Sequence, residues 1–250
     1  MRKNIIVGII FIAMIMIVGA LLVVRYWTEF FAPMKEETIT SIKSGDMRVS
    51  TLHVSIGNGI LTIVKNETIT GWKVIAKYSK TSTPPSITAE NNILTVQLNN
   101  GIMNIYVCDV SSITYTIGNG IGVIILYNTT CDITGTTLNG NMKVILDGGN
   151  YSVDIKVSNG NLDFITTIDG LSGSLKVSNG DVSTILKTPA GGSIEYSIDN
   201  GDATIVSSGY SLNIIEKNNG ERGELHSVGK GIDLGIDIGN GHLILVVSKI

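Results

Sequence analysis

The chain has few charged side chains, few prolines and only two cysteines among its 250 residues. Charged residues make up 16% of it, against roughly 25% in typical domains, and the net charge of −3 excludes a general basic surface for nucleic acid. Two cysteines in a chain long enough to bury a sizeable core exclude a small disulfide-stapled scaffold. The 29 glycines favour turns, while four prolines and abundant isoleucine and valine argue against disorder.

One long hydrophobic run lies near the N-terminus, at Ile5–Val24, where no side chain is polar. A helix of this length covers about 30 Å, which is the thickness of the bilayer's hydrocarbon. We predict a transmembrane signal-anchor helix here. The alternative is a signal peptide that is cleaved after Ala20, because small residues precede such a cut.

The hydrophobic run sets the predicted domain organisation. Residues 1–4 form a cytoplasmic tail, 5–24 the transmembrane helix, 25–50 a juxtamembrane segment and 51–250 a domain outside the cell. We therefore expect a single-pass protein of the plasma membrane, with the membrane as its first partner. An exported domain is open to glycosylation, and three acceptor sequences begin at Asn66, Asn128 and Asn150.

Asn-Gly pairs recur along the chain with a period close to 20 residues. After the first pair the spacing stays near this value, and a period held over so many intervals is typical of a solenoid in which each repeat is one coil. The pairs begin at Asn58, Asn100, Asn119, Asn139, Asn159, Asn179, Asn200, Asn219 and Asn240.

The residues around each pair alternate between apolar and polar. Ile155, Val157, Leu162 and Phe164 are separated by polar residues, which is the period of a strand and not of a helix. Asn and Gly accept positive φ, so each pair predicts a corner, and asparagines in register between coils can hydrogen-bond as a ladder. The predicted fold class is all-β: a single-stranded parallel β-helix, or β-solenoid, behind the N-terminal transmembrane helix.

The repeats resemble those of a known family. The segments 157–162, 177–182 and 198–203, among them Val177-Ser178-Asn179-Gly180-Asp181-Val182, are similar to the repeats of the β-helical family called putative adhesin, which occurs in bacterial and archaeal envelope proteins. Residues 71–74 and 93–96 also resemble that family's opening strands. The resemblance spans about residues 50–250 and implies a β-helical envelope domain without catalytic residues. The pattern is broken at residues 81–85, at Leu138, which is one place out of phase, and at residues 222–225.

The two cysteines, Cys108 and Cys131, occur in similar contexts about one coil apart. In an exported protein this spacing allows a disulfide between stacked neighbours. The alternative is two buried thiols that pack as small hydrophobic groups.

Polar residues directly after the corner glycines form the most specific candidate site. If Gly223 is a corner, Asp181, Asp202 and Glu224 stack as outward-facing carboxylates, which would share protons or bind a divalent metal ion such as Ca²⁺. The competing interpretation is that these side chains only solvate a turn. No other cofactor is expected.

The three histidines, His53, His226 and His242, form no close pair, and no Gly-x-Ser-x-Gly elbow accompanies them, so a hydrolase triad has no support. We therefore predict a non-catalytic, membrane-anchored cell-surface module for adhesion, binding or envelope scaffolding, with a surface protein or glycan as its partner. One alternative is a structural β-helix that self-associates end to end, because the apolar final segment 242–250 has no polar cap. A polysaccharide-active enzyme is less favoured, because the outward columns carry mostly Thr, Ser and Lys instead of clustered carboxylates.

Overall fold

The structure, a computed structural model, describes residues 37–217 and 220–250. These residues contain strands and no helix. The strands are β1 (Thr38–Gly45), β2 (Thr51–Lys65), β3 (Trp72–Ser79), β4 (Ser86–Glu90), β5 (Ile93–Val107), β6 (Ser112–Asn159), β7 (Leu162–Thr167), β8 (Gly170–Asn179), β9 (Val182–Thr188), β10 (Gly191–Ser208), β11 (Ser211–Lys217), β12 (Glu221–Ser227) and β13 (Gly231–Lys249).

Parallel strands stack so that the Asn-Gly corners lie in register. β2 pairs with β5 on one side and with β6 on the other, which aligns Asn58 with Asn100 and with Asn119. Further along the stack, β13 lies between β8 and β10 and aligns Asn240 with Asn179 and Asn200. We refer to the aligned stretches around each corner as rows. The glycine of each corner has positive φ, for example 134° at Gly140, which explains why the sequence places glycine there.

The core lies inside the stack and is built from the period-two positions. Leu162, Phe164, Val182, Leu243 and Leu245 are all fully buried and face inward. Alternate residues face outward, because successive side chains of a strand point to opposite sides of the sheet. Burial of this continuous aliphatic core is the main stabilising term for so glycine-rich a chain.

The predicted fold class is wrong as a description of this architecture. The parallel pairings of β6, β7, β9, β13 and β8 close on themselves as a ring of five strands. Antiparallel strands then cover the two ends of the stack: β3 and β4 pair with β5, and β12 pairs with β10. The sequence prediction missed them because a period-two pattern is the same in parallel and antiparallel strands.

The predicted transmembrane helix, Ile5–Val24, lies outside the described residues. Within residues 37–217 and 220–250 no helix is long and apolar enough to cross a membrane. A compact unit extends over residues 38–250, and its first strand, β1, lies within the segment that we predicted to be juxtamembrane.

The C-terminal strand lies in the interior of the sheet. β13 is hydrogen-bonded to β8 and β9 on one side and to β10 on the other, so the predicted open end at residues 242–250 is not an edge. β10 and the β12–β11 hairpin lie outside it instead. The tertiary fold thereby hydrogen-bonds the apolar C-terminal strand on both sides, and its Leu243, Leu245 and Val247 are buried.

Two irregular positions of the repeat have clear structural outcomes. Leu138 is 47% exposed, and Thr137 takes the buried place before the corner. Gly223 is not a corner, because it lies within antiparallel β12 and faces the ring of Tyr196. The second outcome removes Glu224 from the register that we predicted for it.

Candidate functional site

A ladder of eight asparagine side chains follows the corners. From Asn58 to Asn200 along the stack, each Nδ2 donates to the Oδ1 of the preceding asparagine at 2.6–3.0 Å, without interruption from one row to another. Because all amides point the same way, their dipoles align and the bonds support one another. Along the stack the members are Asn100, Asn58, Asn119, Asn139, Asn159, Asn179, Asn240 and Asn200.

The ladder predicts that an interior asparagine contributes more than a terminal one. Asn139 makes two ladder bonds, to Asn119 and from Asn159, whereas Asn200 makes one, to Asn240. We expect Asn139→Ala to lower the free energy of unfolding by about 1–2 kcal/mol and Asn200→Ala by about half as much. Urea denaturation of the full chain measures both variants, and equal losses would show that the second ladder bond of Asn139 adds nothing to stability.

A second polar column lies two residues after each corner asparagine, and it contains two of the three predicted carboxylates, Asp181 and Asp202. Asn141 Oδ1 accepts the Asn161 amide at 3.1 Å, Asn161 Oδ1 accepts the Asp181 amide at 3.0 Å, and Asp181 Oδ1 accepts the His242 amide at 2.9 Å. Each side-chain oxygen therefore joins one row to the backbone of the next. Asp181 has a structural role as an acceptor, which fits the interpretation that the column solvates and joins the turns.

The predicted ladder of three carboxylates is not formed. His242 lies between Asp181 and Asp202, and its Nδ1 contacts Asp202 Oδ1. Glu224 lies elsewhere, on β12, where it is opposite Glu195 of β10. Within residues 37–217 and 220–250 no group of three His, Cys, Asp or Glu side chains is placed to hold a metal ion. The repeat predicted the column but not which strand would be inserted into it.

Local partners shift two pKa values at these positions. The hydrogen bond to Asp202 and the charge of that carboxylate raise the pKa of His242 above its ordinary value. Hydrogen bonds from Asn213 and then from His226 lower the pKa of Glu224. The His242 side chain is 64% exposed and that of Glu224 28% exposed, so solvent screens both pairs and they contribute little to stability.

The two cysteines are free thiols in the structure. The Asp132 amide donates to the Ser111 carbonyl at 2.9 Å, which places Cys131 in register with Ser111 and not with Cys108. Burial raises the pKa of the Cys131 thiol to about 12, and the charges of Asp132 and Asp109 act in the same direction. Cys131 therefore stays in the protonated thiol form, which is unreactive.

The predicted glycosylation sites lie on the surface. Asn128 and Asn150 are exposed, and Asn66 is half-buried. The Asn66 side chain accepts hydrogen bonds from the Thr68 amide at 2.9 Å and from the Thr68 hydroxyl at 2.7 Å. Their glycosylation stays a prediction.

Lys65 is a structural residue that the sequence interpretation missed. It takes an inward position, where it is only 6% exposed, and donates to the carbonyls of Tyr127 at 3.0 Å and Asn128 at 2.9 Å. Its Nζ also lies 3.2 Å from a carboxylate oxygen of Glu67. A lysine in phase with the apolar positions was the available signal, because lysine is rarely buried unless it is paired.

The outward positions before each corner form a flat polar surface. Ser174 Oγ donates to Asp154 at 3.0 Å, Lys156 lies 3.8 Å from Asp154, and Lys176 lies 3.5 Å from Asp237. We call this surface the polar face, and it consists of Thr134, Thr136, Asp154, Lys156, Ser174, Lys176 and Asp237. Its charged side chains are about half exposed, so they remain available to a partner.

The class that this geometry defines is a stack of parallel strands with asparagine-laddered corners and antiparallel end strands. No family model and no curated protein matches the chain. Among solved structures, it is similar to a putative cell adhesion protein from Clostridium sporogenes, with 14% identity, a TM-score of 0.49, and coverage of 84% of this chain and 100% of that one.

Two further solved structures are similar over the same share of this chain. A putative adhesin from Parabacteroides merdae has 11% identity and a TM-score of 0.36, with 84% of this chain and 97% of that one covered. A putative lipid binding protein from Parabacteroides distasonis has 9% identity and a TM-score of 0.36, with the same coverage. The adhesin names agree with the resemblance predicted from the repeats. At these identities and TM-scores, no residue role, ligand or activity is carried over to this chain.

Proposed function

We propose that the protein is a non-catalytic binding or envelope-scaffold module of the cell surface. The proposal rests on two sets of polar residues, those at the corners and those of the polar face. The asparagine ladder and the column through Asp181 hold one row to the next, while the polar face offers a flat array of hydroxyl, ammonium and carboxylate groups. Such an array suits a polar partner, either a glycan or a protein surface.

The names of similar solved structures agree with an adhesion-type role in the same coarse sense. The polysaccharide-active alternative is less favoured, because general acid–base chemistry on a sugar needs two carboxylates that are free to face one substrate. Here Asp181 Oδ1 accepts the His242 amide and Asp202 Oδ1 contacts His242 Nδ1, so both carboxylates are engaged within the column. End-to-end assembly also loses support. β3 and β4 occupy the outer side of β5, so one end of the stack has few free strand groups to offer.

A surface-labelling and adhesion experiment tests the proposal. Intact cells that produce the full chain are treated with a membrane-impermeant amine reagent, and the chain should be labelled without permeabilisation. The same cells are then allowed to settle on plates coated with the envelope material of cells that lack the protein. We expect retention above that of non-producing cells.

The variant for this assay is Lys156→Ala combined with Lys176→Ala on the polar face. Surface ion pairs contribute roughly 0–1 kcal/mol, so the fold is expected to persist while retention falls severalfold. Lys187→Ala is the matched control, because Lys187 is exposed but lies outside the polar face. A chain that is labelled only after permeabilisation, or retention that is equal with and without the chain, would overturn the proposal.

A further inference from the structure

A stripe of apolar side chains runs along the outside of the sheet. In every row, the sixth residue after the corner asparagine faces outward, as the alternation of buried and half-exposed residues shows. The register aligns these residues from row to row. We call them the aliphatic stripe: Tyr106, Val64, Ile125, Ile145, Ile165, Ile185, Val246 and Val206.

The aliphatic stripe contrasts with the polar face. Outward positions before the corners carry Thr, Ser, Lys and Asp, whereas the stripe has no charged residue over its whole length. Its members are half-buried, except for Val206 at 58% exposure. Four residues before the stripe at the first rows, Ile102, Ile60 and Ile121 are also 38%, 37% and 45% exposed, with Asn104, Thr62 and Val123 in the outward positions between them and the stripe. Large continuous apolar patches on a protein surface mark interaction sites.

The aliphatic stripe and the outward residues on both sides of it, which include Lys143 and Asp163, together match the size of a protein interface. Eight rows at about 4.8 Å extend over roughly 38 Å, and the outward positions beside the stripe give it a width of about 20 Å. The resulting surface is on the order of 750 Å², close to the roughly 800 Å² that each partner contributes to a standard interface. An occupant with the same dimensions and flatness is a second copy of the same sheet.

We propose that the aliphatic stripe is the interface of a two-fold symmetric dimer. In this dimer the stripes of two copies pack face to face, with the symmetry axis along the strand direction between Ile145 and Ile165. Sheets that pack in this way lie about 10 Å apart, with their side chains interdigitating. Because the axis reverses the order of the rows, Ile145 meets Ile165 of the partner subunit and the contact is self-complementary.

The charges beside the centre of the stripe fit this arrangement. Lys143 and Asp163 are outward residues on adjacent rows, two positions before Ile145 and Ile165. The two-fold axis places Lys143 opposite Asp163 of the partner subunit, and Asp163 opposite the partner's Lys143. Opposite charges therefore meet on both sides of the axis, which sets the register of the dimer. A lipid surface would instead favour a cluster of basic residues, and the chain is acidic overall.

The test is the mass of the full chain in detergent solution, measured by light scattering after the detergent contribution is subtracted. We expect a dimer for the wild type and for Thr136→Asp, a control on the polar face. Ile165→Asp should raise the dimer dissociation constant at least tenfold, because it buries a carboxylate in the centre of the interface. All variants keep residues 1–36, so the difference between the two substitutions reports on the stripe alone.

A charge exchange tests the proposed symmetry. Lys143→Asp places two carboxylates opposite each other across the axis and should weaken the dimer, and adding Asp163→Lys to the same chain should restore it. Circular dichroism and the unfolding midpoint confirm that each variant is folded. A wild type that stays monomeric at about 100 μM, or an Ile165→Asp chain that dimerises as well as Thr136→Asp, overturns the proposal. Failure of the double exchange to restore dimerisation overturns the two-fold arrangement.

Discussion

Gly140→Ala is expected to lower the free energy of unfolding by about 4 kcal/mol or more, which is enough to unfold many domains of this size. Gly140 has a φ of 134°, a region that residues with a Cβ rarely adopt. A Cβ at this position would also overlap the carbonyl oxygen of Gly120 in the preceding row. Because that atom is backbone, relief requires the rows to separate and parallel hydrogen bonds to break.

A second glycine provides the control for this prediction. Gly235 also lies in a parallel strand, but the nearest atom to a Cβ built there is the Gly173 carbonyl oxygen at 3.8 Å, an ordinary van der Waals distance. Gly235→Ala should change stability by no more than about 0.5 kcal/mol. Urea denaturation of both variants, followed by circular dichroism, makes the comparison. Similar midpoints for the two would show that close contact between the corner glycines is not essential.

Lys65→Met is expected to cost about 3 kcal/mol of stability. Methionine matches the length of the lysine stem but leaves the carbonyls of Tyr127 and Asn128 without their buried donor. Hydrogen bonds to a charged group contribute roughly 1.5–3 kcal/mol each, while Glu67 is 60% exposed and returns to water at little cost. The loss of charge also removes the contact of Nζ with the Tyr127 ring.

Lys187→Met is the matched control for Lys65→Met, because Lys187 is exposed at the surface. Its replacement should leave the unfolding midpoint within about 0.5 kcal/mol of the wild type. Thermal and urea unfolding of the full chain give the two values. If Lys65→Met is as stable as the control, the Lys65 hydrogen bonds make no net contribution to the fold.

The corners were predictable because they depend on local conformation. Each corner needs a glycine that accepts positive φ and an asparagine that can hydrogen-bond to the equivalent asparagine of the next row, so this pair of residues recurs in the sequence. The recurring asparagines form the ladder from Asn100 to Asn200. The pair at Asn219-Gly220 includes a residue outside the described ranges. Gly220 directly precedes antiparallel β12, and Asn240 takes the place beside Asn200.

The candidate site was predicted only in part, because its composition depends on which rows are neighbours. Asp181 and Asp202 are in the expected column, but β13 inserts His242 between them. Glu224 was assigned to the column on the assumption that Gly223 is a corner, and β12 runs in the opposite direction. The isoleucines of the aliphatic stripe recur every 20 residues and were visible in the sequence, but only the register shows that they form one continuous surface.

By itself, the sequence determined the all-β class, the row length, the corner residues and the faces of the strands, because each is a property of adjacent residues. The tertiary structure alone decided the order of the rows, the antiparallel end strands and the place of β13 inside the sheet. The physical reason is that the rows are nearly equivalent: any Asn-Gly row can pair with any other, and a period-two strand accepts a parallel or an antiparallel neighbour. The choice is made by burial, which moves Leu243, Leu245 and Val247 into the core and leaves the short antiparallel strands β12 and β11 outside.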